Sequence, residues 1–126
     1  MSACRETPTY PELDVQWQLM TVTDSSGSVG EPSVRTYYCF YRHTVQLHSA
    51  DGLTLLGNLD YVKGQSLTMH FPDNNAVELR AMSLPVPDDA DSSVTGYTFT
   101  FTIDRLTSGS LRLTDPDGRI YDFRKF

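Results

Sequence analysis

The sequence predicts an all-β fold: a small up-and-down antiparallel β-barrel of about eight strands, with at most one short helix. Three observations predict it. Apolar residues recur at every second position in segment after segment between Val15 and Phe123. The clearest run is Thr98 to Asp104, where Phe99, Phe101 and Ile103 form one face and threonine and aspartate the other. The segments are short, evenly spaced and separated by turn signals such as Asp51-Gly52, Lys63-Gly64 and Asp115-Pro116-Asp117-Gly118. The 126 residues suffice for one core and are too few for two.

The first strand runs from Val15 to Val22, with Val15, Trp17 and Leu19 on one face and Gln16 and Gln18 on the other. Asp24 to Pro32 is polar and rich in glycine and serine, and so reads as a loop. Arg35 to Tyr41 carries aromatic residues on both faces, which predicts cover on both sides. Arg42-His43-Thr44 turns or bulges it into Val45 to His48, where Val45 and Leu47 point inward. After Asp51-Gly52, the residues Leu55, Gly57, Leu59 and Tyr61 share an inner face, and a glycine within that strand predicts a bulge or sharp bend. Ser66 to Phe71 follows, with Leu67, Met69 and Phe71 inward and His70 on the wet face, until Pro72 stops it.

Asn75, with Glu78 three residues on, reads as a capping box that opens one or two helical turns through Met82, although Val77 and Leu79 would alternate equally well in a strand. Ser83 to Ser93 is the longest irregular stretch inside the domain, of a length often found in functional or mobile loops. Thr95 to Leu106 is the long strand already described, and Thr107-Ser108-Gly109 turns it into Leu111 and Leu113. Ile120 to Phe126 closes the chain, with Tyr121 and Phe123 inward.

Formal net charge is -6, and the cations are scattered singly among acids: Arg35, Arg42, Arg80, Arg105, Arg112 and Arg119 form no stripe along which a phosphate backbone could lie. Nucleic acid is therefore excluded as a partner class. No run approaches the roughly 18 consecutive apolar residues of a spanning helix. The amino-terminal Met1-Ser2-Ala3-Cys4 is similar to the end of a bacterial lipobox, in which small residues precede the cysteine that receives lipid. On this reading Cys4 is a lipid attachment site, residues 1–13 are a lipobox remnant and flexible tether, and residues 14–126 are the barrel domain. The alternatives are an ordinary cysteine near a native amino terminus, or a bridge between Cys4 and Cys39. With Cys4 lipidated, Cys39 is expected to be an inert buried thiol, since nothing in Tyr37-Tyr38-Cys39-Phe40-Tyr41 would lower its pKa.

Constellations that carry chemistry are missing from the pattern. The three histidines lack metal spacing, and His48 and His70 fall on solvent-facing positions. Asp89-x-Asp91-x-Ser93 begins like a calcium loop, but Val94 stands where glycine belongs and Thr100 where the bidentate glutamate belongs. No nucleophile elbow, phosphate-cradling glycine loop or Cys-x-x-Cys occurs. The sequence thus predicts no enzyme, no metal and no cofactor. The tyrosines Tyr37, Tyr38, Tyr61, Tyr97 and Tyr121 form the remaining unusual set, suited either to rimming the core or to lining a mouth.

Trp17 early in the first strand, the meander of strands, and the closing Tyr121-Asp122-Phe123-Arg124-Lys125-Phe126 together resemble the lipocalin-like proteins of the calycin type. The closest resemblance is to the small lipocalin-like lipoproteins of Bacteroides-type bacteria. It covers Val15 to Phe126 and departs at Val15, where the family motif usually has glycine two residues before the tryptophan. It implies a structural pair in which Arg124, or Lys125, lies across Trp17 as a cation–π cap at the closed end of the barrel. It also implies a monomer in the bacterial cell envelope, at the outer membrane or periplasmic face, touching the membrane only through lipid at Cys4. The expected function is binding of a small apolar or amphipathic ligand in the barrel or its mouth, lined by Leu47, Leu59, Tyr61, Met69, Phe99, Phe101 and Phe123. The alternative is a filled barrel that serves as a non-catalytic interaction module for another envelope protein.

Overall fold

Alternation along the chain becomes a closed sheet. The computed structural model describes residues 13, 15–32, 34–41, 43–62, 65–72, 76–86 and 96–126. Among these, in chain order, lie β1 (Gln16–Thr23), β2 (Val29–Gly30), β3 (Thr36–Tyr41), β4 (Thr44–Ser49), β5 (Thr54–Val62), β6 (Ser66–Phe71), α1 (Ala76–Ala81), β7 (Tyr97–Leu106), β8 (Ser110–Thr114) and β9 (Ile120–Lys125). Each strand from β3 onward pairs antiparallel with the next, and β1 joins β3 on one side and β9 on the other, which closes the predicted eight-stranded up-and-down barrel. The extra strand, β2, folds back on the end of β1, pairing Val22 with Gly30 and Thr23 with Val29.

This up-and-down course sets the two ends. The β1–β2 hairpin, the β4–β5 turn, the β6–β7 connection with α1, and the β8–β9 turn share one end, the mouth. The β3–β4, β5–β6 and β7–β8 turns share the other, the foot. At the foot Trp17 is fully buried and donates its indole N–H to the Leu13 carbonyl oxygen at 3.1 Å. Leu13, assigned above to the tether, is fully buried as well, so barrel packing extends one residue beyond the expected boundary.

Inward positions fill the barrel. Leu47, Leu59, Leu67, Met69, Phe101, Leu111, Leu113, Tyr121 and Phe123 join one buried cluster, as expected for eight strands, whose interior is about wide enough for side chains. The ring pairs Phe101–Tyr121 and Tyr38–Phe123 meet across it, with centroids 5.3 and 4.9 Å apart.

The helix closes the cluster from the mouth. α1 ends in a Schellman motif: the Leu84 N–H donates to Leu79 O, the Ser83 N–H donates to Arg80 O, and Ser83 takes the left-handed φ of 69°. The motif folds the chain back so that Leu84 and Leu79 point the same way, and both are buried together with Met82. The Tyr38 hydroxyl, from β3, donates to the Met82 carbonyl oxygen at 2.7 Å and pins this plug to the barrel wall. Six residues would not hold as an isolated helix; these contacts hold it.

Three expectations are corrected. Gly57 marks no bulge, because β5 keeps an unbroken register with β4 through it. A Cβ there would lie 2.7 Å from the His70 carbonyl oxygen and 2.7 Å from Phe71 Cδ1, so glycine serves to let the Phe71 ring lie on the strand. The irregularities occur instead in β1, between Leu19 and Thr21, and in β7, between Ile103 and Arg105. Arg124 does not cap Trp17: it lies on the outer face of β9, away from inward Phe123, and its Nε donates to Gln18 Oε1 at 3.3 Å. Lys125 is the residue opposite Trp17 in register. Cys39 is not a free thiol but is disulfide-bonded, and the chain's other cysteine, Cys4, lies outside the described residues. Asn75 and the Asp89-x-Asp91-x-Ser93 motif also lie outside them.

Candidate functional site at the barrel mouth

The residues expected to line a ligand cavity are brought together, but as packing. Leu47, Leu59, Tyr61, Met69, Phe99, Phe101 and Phe123 are each at most 8% exposed and belong to the one buried cluster. Phe99 also borders a small cavity of about 170 Å³ beside Pro85, Thr98, Thr100, Pro116 and Asp117. Of the tyrosines, Tyr38, Tyr61, Tyr97 and Tyr121 are core residues, while Tyr37 lies half-buried on the outer face with its ring 4.7 Å from that of Phe126. No group of three or more metal-ligating side chains converges among the described residues. His70 lies on the outer face as expected, with Nδ1 2.7 Å from Thr98 Oγ1.

The larger cavity, of about 520 Å³, opens outside the plug. Three elements build its walls. The β1–β2 hairpin contributes Val22, Asp24 and Ser28 to Pro32; the end of α1 and the turn after it contribute Arg80 and Ser83 to Val86; the β8–β9 turn contributes Arg119.

Local chemistry fixes each wall. In the hairpin, Asp24 Oδ1 accepts hydrogen bonds from the Ser26 and Ser28 N–H groups and from Ser26 Oγ, while Gly27 takes the left-handed φ of 93° that the tight turn needs. The Ser26 hydroxyl, followed by the backbone donors, holds the Asp24 carboxyl below the usual carboxylate value. In the β8–β9 turn, buried Asp115 is the organiser: Oδ1 accepts the Asp117 and Arg119 N–H groups, each at 2.9 Å, and Oδ2 accepts the Tyr121 hydroxyl at 2.9 Å. Burial, reinforced by the bond to Asp115, pushes the Tyr121 hydroxyl well above the ordinary tyrosine value. The Tyr121 side chain, with the Asp115 and Asp117 carboxylates adding to it, raises the Arg119 guanidinium above the usual arginine value. Burial likewise raises the Tyr38 hydroxyl, with Tyr121 nearby adding to the shift.

The site thus combines an apolar surface from Val22, Val29, Leu84 and Val86 with two arginines from separate elements. Sequence alternation could not have found it, because its walls are turns and a helix end. The one available signal was the length of the Ser83–Ser93 stretch, whose first four residues line the cavity.

Comparison with known proteins agrees with this architecture. A family model described as a lipocalin-like domain matches residues 1–126. Among solved structures, a lipocalin-like protein from Bacteroides uniformis ATCC 8492 superposes with a TM-score of 0.68 at 23% identity, covering 91% of this chain and 99% of that one. An uncharacterized protein from Bacteroides eggerthii DSM 20697 superposes with a TM-score of 0.63 at 20% identity, covering 89% of this chain and 98% of that one. No curated protein matches the chain. At these identities the structural likeness establishes the fold.

Proposed function

This chain belongs to the lipocalin-like domain family, and from that premise we propose that it is a non-enzymatic binding protein for a small amphipathic molecule, held at the barrel mouth instead of inside the barrel. The observation that carries the reading is the cavity of about 520 Å³ between the β1–β2 hairpin, the plug and the β8–β9 turn, a volume within the range of about 300–1,000 Å³ usual for ligand sites. The interior does not compete for the ligand, since its inward side chains already pack against one another.

We place the protein outside the cytoplasm, in the cell envelope. The disulfide at Cys39 supports this, because such bonds persist in oxidising compartments. Lipid anchoring at Cys4 and a bridge from Cys4 to Cys39 are mutually exclusive uses of one sulfur in a chain with two cysteines. Either use suits a protein outside the cytoplasm.

Native mass spectrometry of the full chain, after incubation with lipid and metabolite extract from Gram-negative cells, tests the binding function. A stoichiometric adduct of defined mass is expected. A bare protein across repeated extracts would contradict the reading and favour the interaction module.

A further inference from the structure

We propose that the outer face of the sheet at the foot is a docking surface for an anionic lipid membrane, with Arg105, Arg124 and Lys125 meeting the headgroups and Phe126 entering the interface. The proposal is independent of the mouth site. Cations that are scattered in the sequence are gathered here by strand register. Arg105 on β7 stands directly opposite Arg112 on β8, Arg112 stands opposite Asp122 on β9, and Arg124, two residues on from Asp122, stands opposite Ser110. Lys125 follows, with its backbone N–H donating to Gly109 O in the β7–β8 turn at 3.0 Å. Three adjacent strands thus bring four cations to the foot.

Folding stability does not account for this arrangement, since two like charges directly opposite each other are unfavourable. The break in register between Ile103 and Arg105 turns Arg105 to the outer face, where regular alternation from Phe101 and Ile103 would have sent it inward. The two acids of the face are already engaged: Asp122 pairs with Arg112 at 2.7 Å, and Asp104 accepts the Thr114 hydroxyl. Arg124 donates from Nε to Gln18 and is otherwise exposed, and Arg105 and Lys125 are exposed. Four cations against Asp104 and Asp122 leave this face at +2, on a chain of formal net charge -6. Asp60, on β5, lies two strands away from β7.

The acids that make the chain anionic lie elsewhere. Asp24, Glu31, Asp51, Glu78, Asp115 and Asp117 are all at the mouth end. The ten residues of β7 make about 33 Å of strand between mouth and foot, against a screening length of about 8 Å at physiological salt. The mouth acids therefore do not repel a surface that touches the foot. Phe126 favours a membrane over a soluble polyanion. It is 64% exposed beside Arg124 and Lys125, and its ring lies 4.7 Å from that of Tyr37 on the outer face. Cations flanking an exposed aromatic ring suit the boundary between headgroups and acyl chains, which accommodates both.

The test is sedimentation of the full chain with phosphatidylcholine vesicles, prepared with and without phosphatidylglycerol. The phosphatidylglycerol vesicles are expected to be bound about tenfold or more tightly, and the difference to vanish at about 1 M salt, where the screening length is about 3 Å. Arg105→Gln, Arg124→Gln and Lys125→Gln are each expected to weaken that binding about fivefold, the equivalent of about 1 kcal/mol per cation at a membrane surface. The triple variant is expected to bind both vesicles alike. All three residues are exposed, so these variants are expected to fold. Phe126→Ser is expected to weaken binding about tenfold, whereas Arg35→Gln, which removes an exposed cation at the mouth end, should change nothing. Equal binding to the two vesicles, binding to neither, or a triple variant that binds as the parent does would overturn the proposal. Heparin bound as tightly as the anionic vesicles, and unaffected by Phe126→Ser, would assign the face to a soluble polyanion and overturn the membrane partner.

Discussion

Replacing Tyr38 by phenylalanine removes one oxygen and tests what keeps the mouth closed. The hydroxyl donates to the Met82 carbonyl at 2.7 Å, across 44 residues of sequence, with Tyr38 and Met82 at most 1% exposed. No water reaches the carbonyl once its donor is gone, so the loss is that of a buried unsatisfied acceptor, about 1–3 kcal/mol. The plug itself is one short helix and a Schellman turn, seated by Leu79, Met82 and Leu84. The penalty should therefore appear chiefly as local opening of the plug rather than of the barrel. Hydrogen exchange reads this directly. The Met82 and Leu84 amides, bonded to Glu78 O and Leu79 O, are expected to exchange about 5- to 150-fold faster in the variant, the range that this loss gives. Amides of β5 and β6 should keep their rates. Unchanged exchange at Met82 and Leu84 would refute the latch, and an equal rise throughout the barrel would refute the plug as a separate unit.

Other expectations follow from particular contacts. Gly57→Ala should destabilise by about 1–3 kcal/mol, because its Cβ would overlap the His70 carbonyl and the Phe71 ring at 2.7 Å; adding Phe71→Leu should recover part of the loss in a double-mutant cycle, and an unchanged Gly57→Ala melting temperature would contradict the packing account. Tyr38 and Tyr121 have raised folded pKa values, above the ordinary value of 10.0. Their neutral forms therefore contribute stability that is fully present below pH 10.0 and is lost as pH rises above it. An ultraviolet titration should accordingly show the two tyrosines ionising together with unfolding, not before it. Protein purified without reductant should take no thiol label at Cys39 when denatured and should label there after reduction; labelling of Cys39 beforehand would contradict the disulfide.

Strand parity made most of the architecture legible. β6 falls on Ser66–Phe71 as expected, and the inward residues of β4, β5, β7 and β9 are those whose spacing announced them. The same parity misled at Gly57, since a glycine required by a neighbouring ring looks in sequence like one required by a bend. It could not say whether a barrel lined by Leu59, Met69 and Phe101 is hollow. That depends on the volume the inward side chains occupy and on a plug whose residues come from one short helix. The site was least legible of all. Val22 and Val29 meet Arg80, Leu84 and Arg119 only because the closed barrel gathers alternate connections at one end. The Asp115 turn was readable from its Asp-Pro-Asp-Gly pattern, but the role of buried Asp115 in holding the Tyr121 hydroxyl has no sequence signature.

The most direct test of a filled barrel with a ligand site at its mouth is amide chemical-shift mapping of the full chain titrated with decanoate. The expected perturbations cluster at Val22, Gly30, Arg80, Leu84 and Arg119, the walls of the mouth cavity. Saturable shifts centred instead on Leu47, Leu59, Met69 and Phe101 would show that the ligand enters the barrel interior, and would contradict a packed core closed by the α1 plug.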